Sequence, residues 1–373
     1  MVIKERVHMK KLEKLIFFIT VSIIIACLNT ISFAAPVDGE IFGLENEYID
    51  SSGNMVSHSI EVKIWGDEFY THVETLDGYT LVRDLDNGAI CYGIIREGGE
   101  LVSTKVPYTG KNTFYERIIE LQIRSGVKEN SLVIKNKIQQ SKNDLGIDES
   151  FYNYLPEIEI SEANFLAEGN PYYNNNYRGS VTGLTLIIDF PDVKSSITPT
   201  QVDNFCNSLN YTEFSNRGSV RQYYRDISGG AIDYTNVVPT FYYTAKNNRS
   251  YYTDESIAQG TRARELIIEA LQYLDNNNFN FSQLSVNASG QVRALNVFYA
   301  GARTNAWAKG LWPHASSLSF TTKGGTRFSR YQMTDMPTSI TIGTFVHENG
   351  HLLFGWGDTY DTTSGSGGGP RKI

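Results

Sequence analysis

The sequence predicts an α+β protein in which a β-rich N-terminal domain precedes a domain with a mixed sheet and helices. In residues 60–101, apolar residues alternate and are interrupted by Asp-Gly and Asn-Gly at 77–78 and 87–88, which favour tight hairpin turns. Residues 184–190 are a near-continuous apolar run, typical of a buried strand. Residues 263–274 repeat apolar side chains at helical spacing, which predicts a core-facing helix.

Residues 1–34 are predicted to be an export signal peptide. Lysines at 10, 11 and 14 precede an apolar core at residues 15–28, and Ser32-Phe33-Ala34 forms a small-residue cleavage site. The core is too short for a comfortable transmembrane span. We therefore expect cleavage after Ala34 and a secreted, extracellular protein.

An alternative interpretation of the N-terminus is a lipoprotein signal, because residues 24–27 (Ile-Ile-Ala-Cys) fit a lipoprotein box. Lipidation of Cys27 would anchor the protein at the cell surface, and only in that form do we expect a membrane partner. We favour simple cleavage because residues 28–31 would begin a poor soluble tether.

Three segments follow the predicted signal. Residues 35–165 are predicted to form a propeptide-like domain, residues 166–178 a linker, and residues 179–373 a second domain. The linker is placed where the sequence becomes acidic and rich in asparagine, and the Arg178-Gly179 bond is a candidate cleavage site. A propeptide would occlude the second domain until export is complete, whereas the alternative is a permanent accessory domain.

Four further elements are predicted from apolar spacing and turn residues. Residues 114–123 and 130–140 are predicted helices, residues 294–299 a strand, and residues 317–331 a hairpin around Gly-Gly at 324–325.

The clearest functional motif is the pentapeptide HExxH at residues 347–351. On a helix of about 3.6 residues per turn, His347 and His351 lie on one face and can bind one metal ion through their ring nitrogens. Glu348 lies beside them and is the expected general base that takes a proton from water. The spacing predicts a catalytic Zn²⁺ site of an endopeptidase whose substrates are proteins or peptides.

Apolar residues at helical spacing flank this motif and predict that it lies on an amphipathic helix. They are Ile342, Phe345, Val346, Leu352 and Leu353. Thr338 or Ser339 is the expected N-cap, and Gly355 and Gly357 are expected to end the helix.

A catalytic zinc site normally has three protein ligands, so the two histidines need a partner. After His351 the sequence has no Glu, His or Cys, and the remaining candidates of the usual type are Asp358 and Asp361. On a continuous helix, Asp358 would lie about 10.5 Å along the axis from His351, beyond the length of a zinc bond. A bend at the glycines is therefore required.

Residues 347–361, HENGHLLFGWGDTYD, resemble the active-site signature of the immune inhibitor A family of secreted zinc metallopeptidases. Other segments are similar to the propeptide of that family, at residues 62–70 and 74–79, and to its catalytic domain, at residues 183–192, 218–224 and 311–314. The resemblance covers most of the chain.

This resemblance implies a zymogen with a metzincin-like catalytic domain. It implies that His347, His351 and Asp358 hold zinc and that Glu348 is the general base. In the commonest form of the family pattern a glycine lies three residues after the second histidine, whereas this sequence has Phe354 there. Asp361 therefore stays the alternative third ligand.

Composition excludes some partners. The net charge is −8 and basic residues outside the signal are scattered, which argues against a nucleic-acid partner. Outside the signal the sequence contains two cysteines, Cys91 and Cys206, so the exported protein does not depend on a disulfide framework.

Several residues are weaker candidates for a role at the site. Cys91 lies in a strand pattern and is predicted to be a buried core residue and not a thiolate that blocks zinc. Asp189 and Asp192 are candidates for a Ca²⁺ site, although a solvated turn is favoured. His314 and Tyr360 are candidate oxyanion donors, with a structural role favoured for each.

Metzincin-type sites have a methionine-containing turn downstream of the zinc helix, and no Met follows His351 in this sequence. We therefore expect the catalytic domain to be incomplete at its C-terminus and the chain to be part of a longer precursor. The rival hypothesis is an inactive secreted or cell-surface binding module, or an inactive fragment of a longer peptidase.

Overall fold

The computed structural model describes residues 37–50, 52–110, 115–147, 179–305 and 307–355. In these residues there are two six-stranded sheets and seven α-helices, so the protein is α+β with a β-rich N-terminal part, as predicted. The predicted signal peptide and linker lie outside the described residues, and the predicted domain boundaries stay predictions.

The N-terminal sheet is an antiparallel meander in which each strand pairs with the next along the chain. Its strands are β1 (Val37–Ile49), β2 (Met55–Gly66), β3 (Thr71–Thr75), β4 (Thr80–Arg83), β5 (Ile90–Ile95) and β6 (Leu101–Pro107). Gly78 and Gly88 lie in the connections that follow β3 and β4, both at the positive φ that glycine adopts without steric penalty. The predicted hairpins are confirmed, and the sheet extends beyond residues 60–101 at both ends.

Two helices follow this sheet, α1 (Tyr115–Glu120) and α2 (Ser131–Leu145). Helix α2 begins one residue after the predicted start at 130, because Asn130 is its N-cap and accepts a side-chain hydrogen bond from the Val133 N–H at 2.8 Å. It continues five residues beyond the predicted end at 140, as far as Gly146, whose left-handed φ of 67° ends it.

The second sheet is mixed, with the strand order β11-β12-β10-β7-β8 and the short β9 beside the end of β7. Its strands are β7 (Gly179–Asp189), β8 (Ile232–Val237), β9 (Tyr243–Thr244), β10 (Leu295–Ala300), β11 (His314–Thr321) and β12 (Arg327–Met336). Among these strands the pairs are parallel except for β11 with β12. The strands predicted at 184–190 and 294–299 and the hairpin predicted at 317–331 are confirmed.

Helices cover both faces of the second sheet. Successive side chains of a strand point to opposite faces, so a strand with apolar side chains in both directions packs against helices on both sides. The helices are α3 (Pro199–Asn207), α4 (Val220–Ile227), α5 (Arg249–Tyr252), α6 (Thr261–Asn276) and α7 (Ile342–Phe354). On β7, Leu184 and Leu186 pack in the cluster that contains α6, whereas Val181 and Ile187 pack in the cluster that contains α3, α4 and α7. The sheet is thus the middle of three layers. None of the described helices is long and apolar enough to cross a membrane.

The N-terminal sheet packs against the segment that precedes β11. Trp312 is buried in the apolar cluster formed by side chains of the N-terminal sheet. Arg83 of β4 forms an ion pair with Glu255, which lies between α5 and α6. The described residues of both sheets belong to one compact unit.

Gly66 ends β2 in a conformation that only glycine adopts easily, with φ of 121° and with the Tyr70 carbonyl oxygen where a Cβ would lie. Gly66→Ala is expected to lower the free energy of unfolding by about 3 kcal/mol or more, since backbone atoms must move. Gly53→Ala is the matched control, because Gly53 has a φ of 82° with open space around it, and should cost about 1 kcal/mol. Denaturant unfolding measures both, and equal losses would contradict the steric argument.

Candidate metal centre

The HExxH motif lies in α7, as predicted. The helix ends at Gly355, whose left-handed φ of 62° makes it the C-cap and whose N–H donates to the His351 carbonyl at 3.2 Å. Residues 348–354 of this helix are all buried. The motif is therefore largely inside the protein, with His347 half-buried, and does not lie on a solvated surface helix.

The start of α7 differs from the prediction. Thr338 and Ser339 were the expected N-caps, but Thr341 holds the N-cap position and its side chain makes no capping hydrogen bond. Instead, the Asn216 side chain accepts a hydrogen bond from the Ile342 N–H at 3.0 Å. An amide from a distant segment thus satisfies one of the helix's open N–H groups, which local sequence patterns do not reveal.

Packing and hydrogen bonds fix the rotation of α7 about its axis. Phe345 stacks on Phe298 of β10, with ring centroids 4.9 Å apart. On another side, the Tyr224 hydroxyl of α4 donates to the Val346 carbonyl at 3.0 Å. These contacts direct the histidine side chains away from the sheet-facing side that carries Phe345.

A buried polar network in the sheet holds the centre of the motif. The Tyr234 hydroxyl of β8 donates to the Asn349 side-chain oxygen at 3.1 Å and accepts from the Asn296 amide at 2.7 Å. The same Asn296 amide nitrogen lies 2.7 Å from the Asn236 side-chain oxygen and 3.2 Å from the Thr185 hydroxyl oxygen, so its two N–H groups are shared among three acceptors. Burial raises the pKa of Tyr234, so its hydroxyl keeps its proton at neutral pH. Three strands are therefore linked to α7 by side-chain hydrogen bonds.

The two histidines of the motif present one nitrogen each to the same point. Their Nε2 atoms lie 3.1 Å apart, with the rings nearly perpendicular at 88°. Two nitrogens bound at about 2.0 to 2.1 Å to a tetrahedral zinc ion lie about 3.3 Å apart. The spacing of His347 and His351 therefore fits joint binding of one zinc ion. Arg330 donates to the His351 carbonyl at 3.0 Å and further restrains the backbone at this residue.

A carboxylate from the N-terminal sheet also reaches this point. Ligand atoms of Glu68, His347 and Glu348 all lie within 4.8 Å of one another. The Oε1 atom of Glu68 is 3.9 Å from the Nε2 atom of His351. Glu68 belongs to the loop between β2 and β3, so two distant parts of the chain form the site.

The electrostatics of this group favour a cation. Glu68, Glu348 and His351 are 1%, 0% and 4% exposed, so water screens their charges little. Two carboxylates brought together out of water repel each other and lose hydration energy. A divalent ion would balance two negative charges, and imidazole and carboxylate are usual zinc donors. The residues present thus fit a zinc ion.

Several residues named from the sequence lie outside the described residues. They are Cys27, Asp358, Tyr360 and Asp361. The choice of Asp358 or Asp361 as a ligand therefore stays a prediction.

The cysteines are in the core. Cys91 and Cys206 are both buried and free, as predicted for Cys91. Burial raises the pKa of Cys91 to about 11 and that of Cys206 to about 12. Cys91 is not a member of the group of possible metal ligands around α7.

His314 is held in a structural position at the start of β11. Its Nδ1 is in contact with the Trp312 carbonyl and its Nε2 lies 2.8 Å from the Tyr331 hydroxyl. Burial lowers the pKa of His314 to about 4, because the charged form loses its hydration. Both ring nitrogens are thus engaged inside the protein, in agreement with the favoured structural role.

The two aspartates proposed for calcium are bound to protein groups. Asp189 accepts a hydrogen bond from the Lys194 ammonium at 3.0 Å, and Asp192 accepts one from the Arg249 N–H at 2.9 Å. Within the described residues these two carboxylates are not part of a group of possible metal ligands. Asp192 is exposed, as a solvated turn requires, whereas Asp189 is buried. Binding of Ca²⁺ stays a prediction.

Local sequence patterns do not mark Glu68, Asn216 or Tyr234 as parts of the site. The Gly66-Asp67 pair marks a turn, so the position of Glu68 at a loop tip could have been predicted. The partner of that loop could not, because a hairpin pattern carries no information about a helix far along the chain.

Comparison of the chain with protein-family models and with curated proteins gives no match. The function is therefore inferred from the side chains around α7 and from the elements that hold them.

Tyr234→Phe removes the hydroxyl that joins Asn349 to Asn296. We expect the free energy of unfolding to fall by about 1 to 3 kcal/mol, because buried polar groups lose their partner. Tyr273→Phe is a suitable control, since Tyr273 is 43% exposed and should change stability by less than about 0.5 kcal/mol. Equal stability of wild type and Tyr234→Phe in urea unfolding would contradict the role of the network.

His314 should make stability depend on pH. Its folded-state pKa of about 4 lies below the ordinary value of 6.5, so the unfolded chain binds the extra proton first as pH falls. The free energy of unfolding should therefore decrease between pH 6.5 and 4, by about 3 kcal/mol at most. His314→Gln should flatten this change, whereas His58→Gln should not. Unfolding curves in a metal chelator test this, and the same pH slope in wild type and His314→Gln would refute it.

Proposed function

We propose that this chain is the precursor of a secreted zinc endopeptidase of the immune inhibitor A type. The observation that carries the proposal is the 3.1 Å separation of the His347 and His351 Nε2 atoms on a helix that also buries Glu348. The mixed sheet, with one antiparallel edge strand and helices on both faces, supports a metzincin-like catalytic domain. Secretion is proposed from the signal-like residues 1–34, and lipidation at Cys27 is the alternative.

In this proposal His347 and His351 bind the ion through Nε2, and Asp358 is the expected third ligand. Zinc, when bound, lowers the pKa of a water ligand towards 7 and polarises the carbonyl of a peptide substrate. The Glu348 carboxylate accepts the proton of the attacking water and delivers it to the leaving amine nitrogen. The contacts of Phe345, Asn349 and the α7 backbone keep this carboxylate and the imidazoles in fixed positions, which is what a general base requires.

In the described structure the site around Glu348 is closed to solvent, because Glu348 is fully buried beside Glu68. We therefore propose that residues 35–165 act as a propeptide and that activity follows their removal. Gly179 is exposed, but its N–H donates to the Ala231 carbonyl at 2.8 Å at the start of β7. Cleavage of the Arg178-Gly179 bond would require this end of the strand to open first.

Glu348→Ala is expected to reduce casein hydrolysis at least about 100-fold in protein cleaved within the predicted linker, residues 166–178, because the proton acceptor is lost. Zinc analysis should still find about one ion per chain, since both histidines remain. Asp226→Ala, at an exposed position in α4, is the matched control and should keep both zinc and activity.

Two outcomes oppose the proposal. Zinc bound without proteolysis, in cleaved wild type and Glu348→Ala alike, would favour the inactive binding module. A wild-type zinc content equal to that of His347→Ala would show that the histidines do not form the site.

A further inference from the structure

The loop that carries Glu68 is a rigid tip of the hairpin formed by β2 and β3. Oδ1 of Asp67 accepts hydrogen bonds from the N–H groups of Phe69 and Tyr70, both at 2.8 Å. The Asp67 N–H donates to the Tyr70 carbonyl at 3.0 Å and closes the turn. Glu68 is therefore presented by a pre-ordered turn, which reduces the entropy cost of placing its side chain.

The same turn is anchored to the rest of the protein on both sides of Glu68. The Gln259 amide donates to the Glu68 carbonyl at 2.6 Å, in a buried contact between the N-terminal sheet and the segment before α6. Phe69 is buried in a cluster with Leu145, Ile147 and Ala315, the last of which belongs to edge strand β11. The carboxylate is thus held in place by its own backbone and by the next side chain.

Glu68 lies near both histidines and not near one alone. Its Oε1 atom is 3.9 Å from Nε2 of His351, and its ligand atom lies within 4.8 Å of those of His347 and Glu348. A carboxylate, a donor type that zinc binds, is thus close to the point that the two Nε2 atoms share. The geometry therefore allows Glu68 to join the two histidines in binding one ion.

We propose that Glu68 is a zinc ligand in the precursor and that it blocks catalysis by taking the ligand position that water needs. This inference rests on the proposed function and adds to it the residue that keeps the precursor inactive. A catalytic zinc site keeps one position open for water, so a protein carboxylate in that position makes the site closed, like a structural one. Removal of the N-terminal domain withdraws Glu68 and opens the position.

The test compares metal binding in the full-length Glu68→Gln and wild-type chains, both in a Glu348→Gln background that prevents self-cleavage. Glutamine has almost the same shape but no charge, so the turn and its anchors remain. Zinc should be lost to a chelator at least about tenfold faster from Glu68→Gln. With Co²⁺ in place of zinc, the visible absorption spectrum should change between the two proteins, because an oxygen ligand is exchanged.

Glu61→Gln is the matched control, since Glu61 is an exposed glutamate of β2 in the same hairpin. It should match the wild type in both measurements. With Glu348 intact, Glu68→Gln should hydrolyse casein at least about tenfold faster than the uncleaved wild type, and Glu61→Gln should not.

A second measurement uses chains without a substitution in the loop, so it tests the proposal even if Glu68→Gln does not fold. The Co²⁺ spectrum of the wild-type precursor should change when the chain is cleaved and the N-terminal domain is removed. Identical spectra and chelation rates in wild type and Glu68→Gln, with metal bound in both, would overturn the role of Glu68 and leave the peptidase proposal intact. Failure of every form to bind either metal would instead overturn the peptidase proposal itself.

Discussion

The rotation of α7 about its axis is the constraint on which the site depends. One residue of an α-helix corresponds to about 100° of rotation, so a small slip would carry both histidine nitrogens away from their common point. The rotation is fixed from three directions, by the stacking of Phe345 on Phe298 and by hydrogen bonds from Tyr224 and Tyr234. Two of these contacts are polar and buried, so a misplaced helix would leave unsatisfied groups inside the protein. Polar side chains in the sheet therefore define the geometry that apolar packing alone would leave loose.

Local patterns predicted most of the elements, because each depends on residues that are near in sequence. The strands at 184–190 and 294–299, the helix around 263–274 and the end of α7 at Gly355 all follow from apolar spacing and glycine. The N-cap of α7 was predicted wrongly, since Asn216, from a different segment, bonds the first N–H of the helix. Tertiary contacts of this kind have no local signal.

The candidate site also has one part that local sequence predicts and one part that depends on tertiary packing. The relation between His347, Glu348 and His351 is fixed by helical geometry within five residues, and could be predicted. The arrival of Glu68 depends on how the N-terminal sheet packs on the second sheet, through contacts such as those of Trp312 and Phe69. Local sequence patterns identify the apolar surfaces, but they do not show which other surface each one packs against, because that depends on complementary shape. The composite site is thus a property of the packed structure.

The two buried thiols bear on the oxidation chemistry of the folded chain. Because burial raises the pKa of Cys91 to about 11 and that of Cys206 to about 12, almost none of either side chain would be thiolate at pH 7. Thiol–disulfide exchange proceeds through the thiolate, and burial also keeps an oxidant from reaching sulfur. Once folded, the protein would therefore keep both cysteines reduced in an oxidising medium for kinetic reasons. An oxidant can reach the two thiols only before folding buries them, so the rate of folding sets the time during which a disulfide can form.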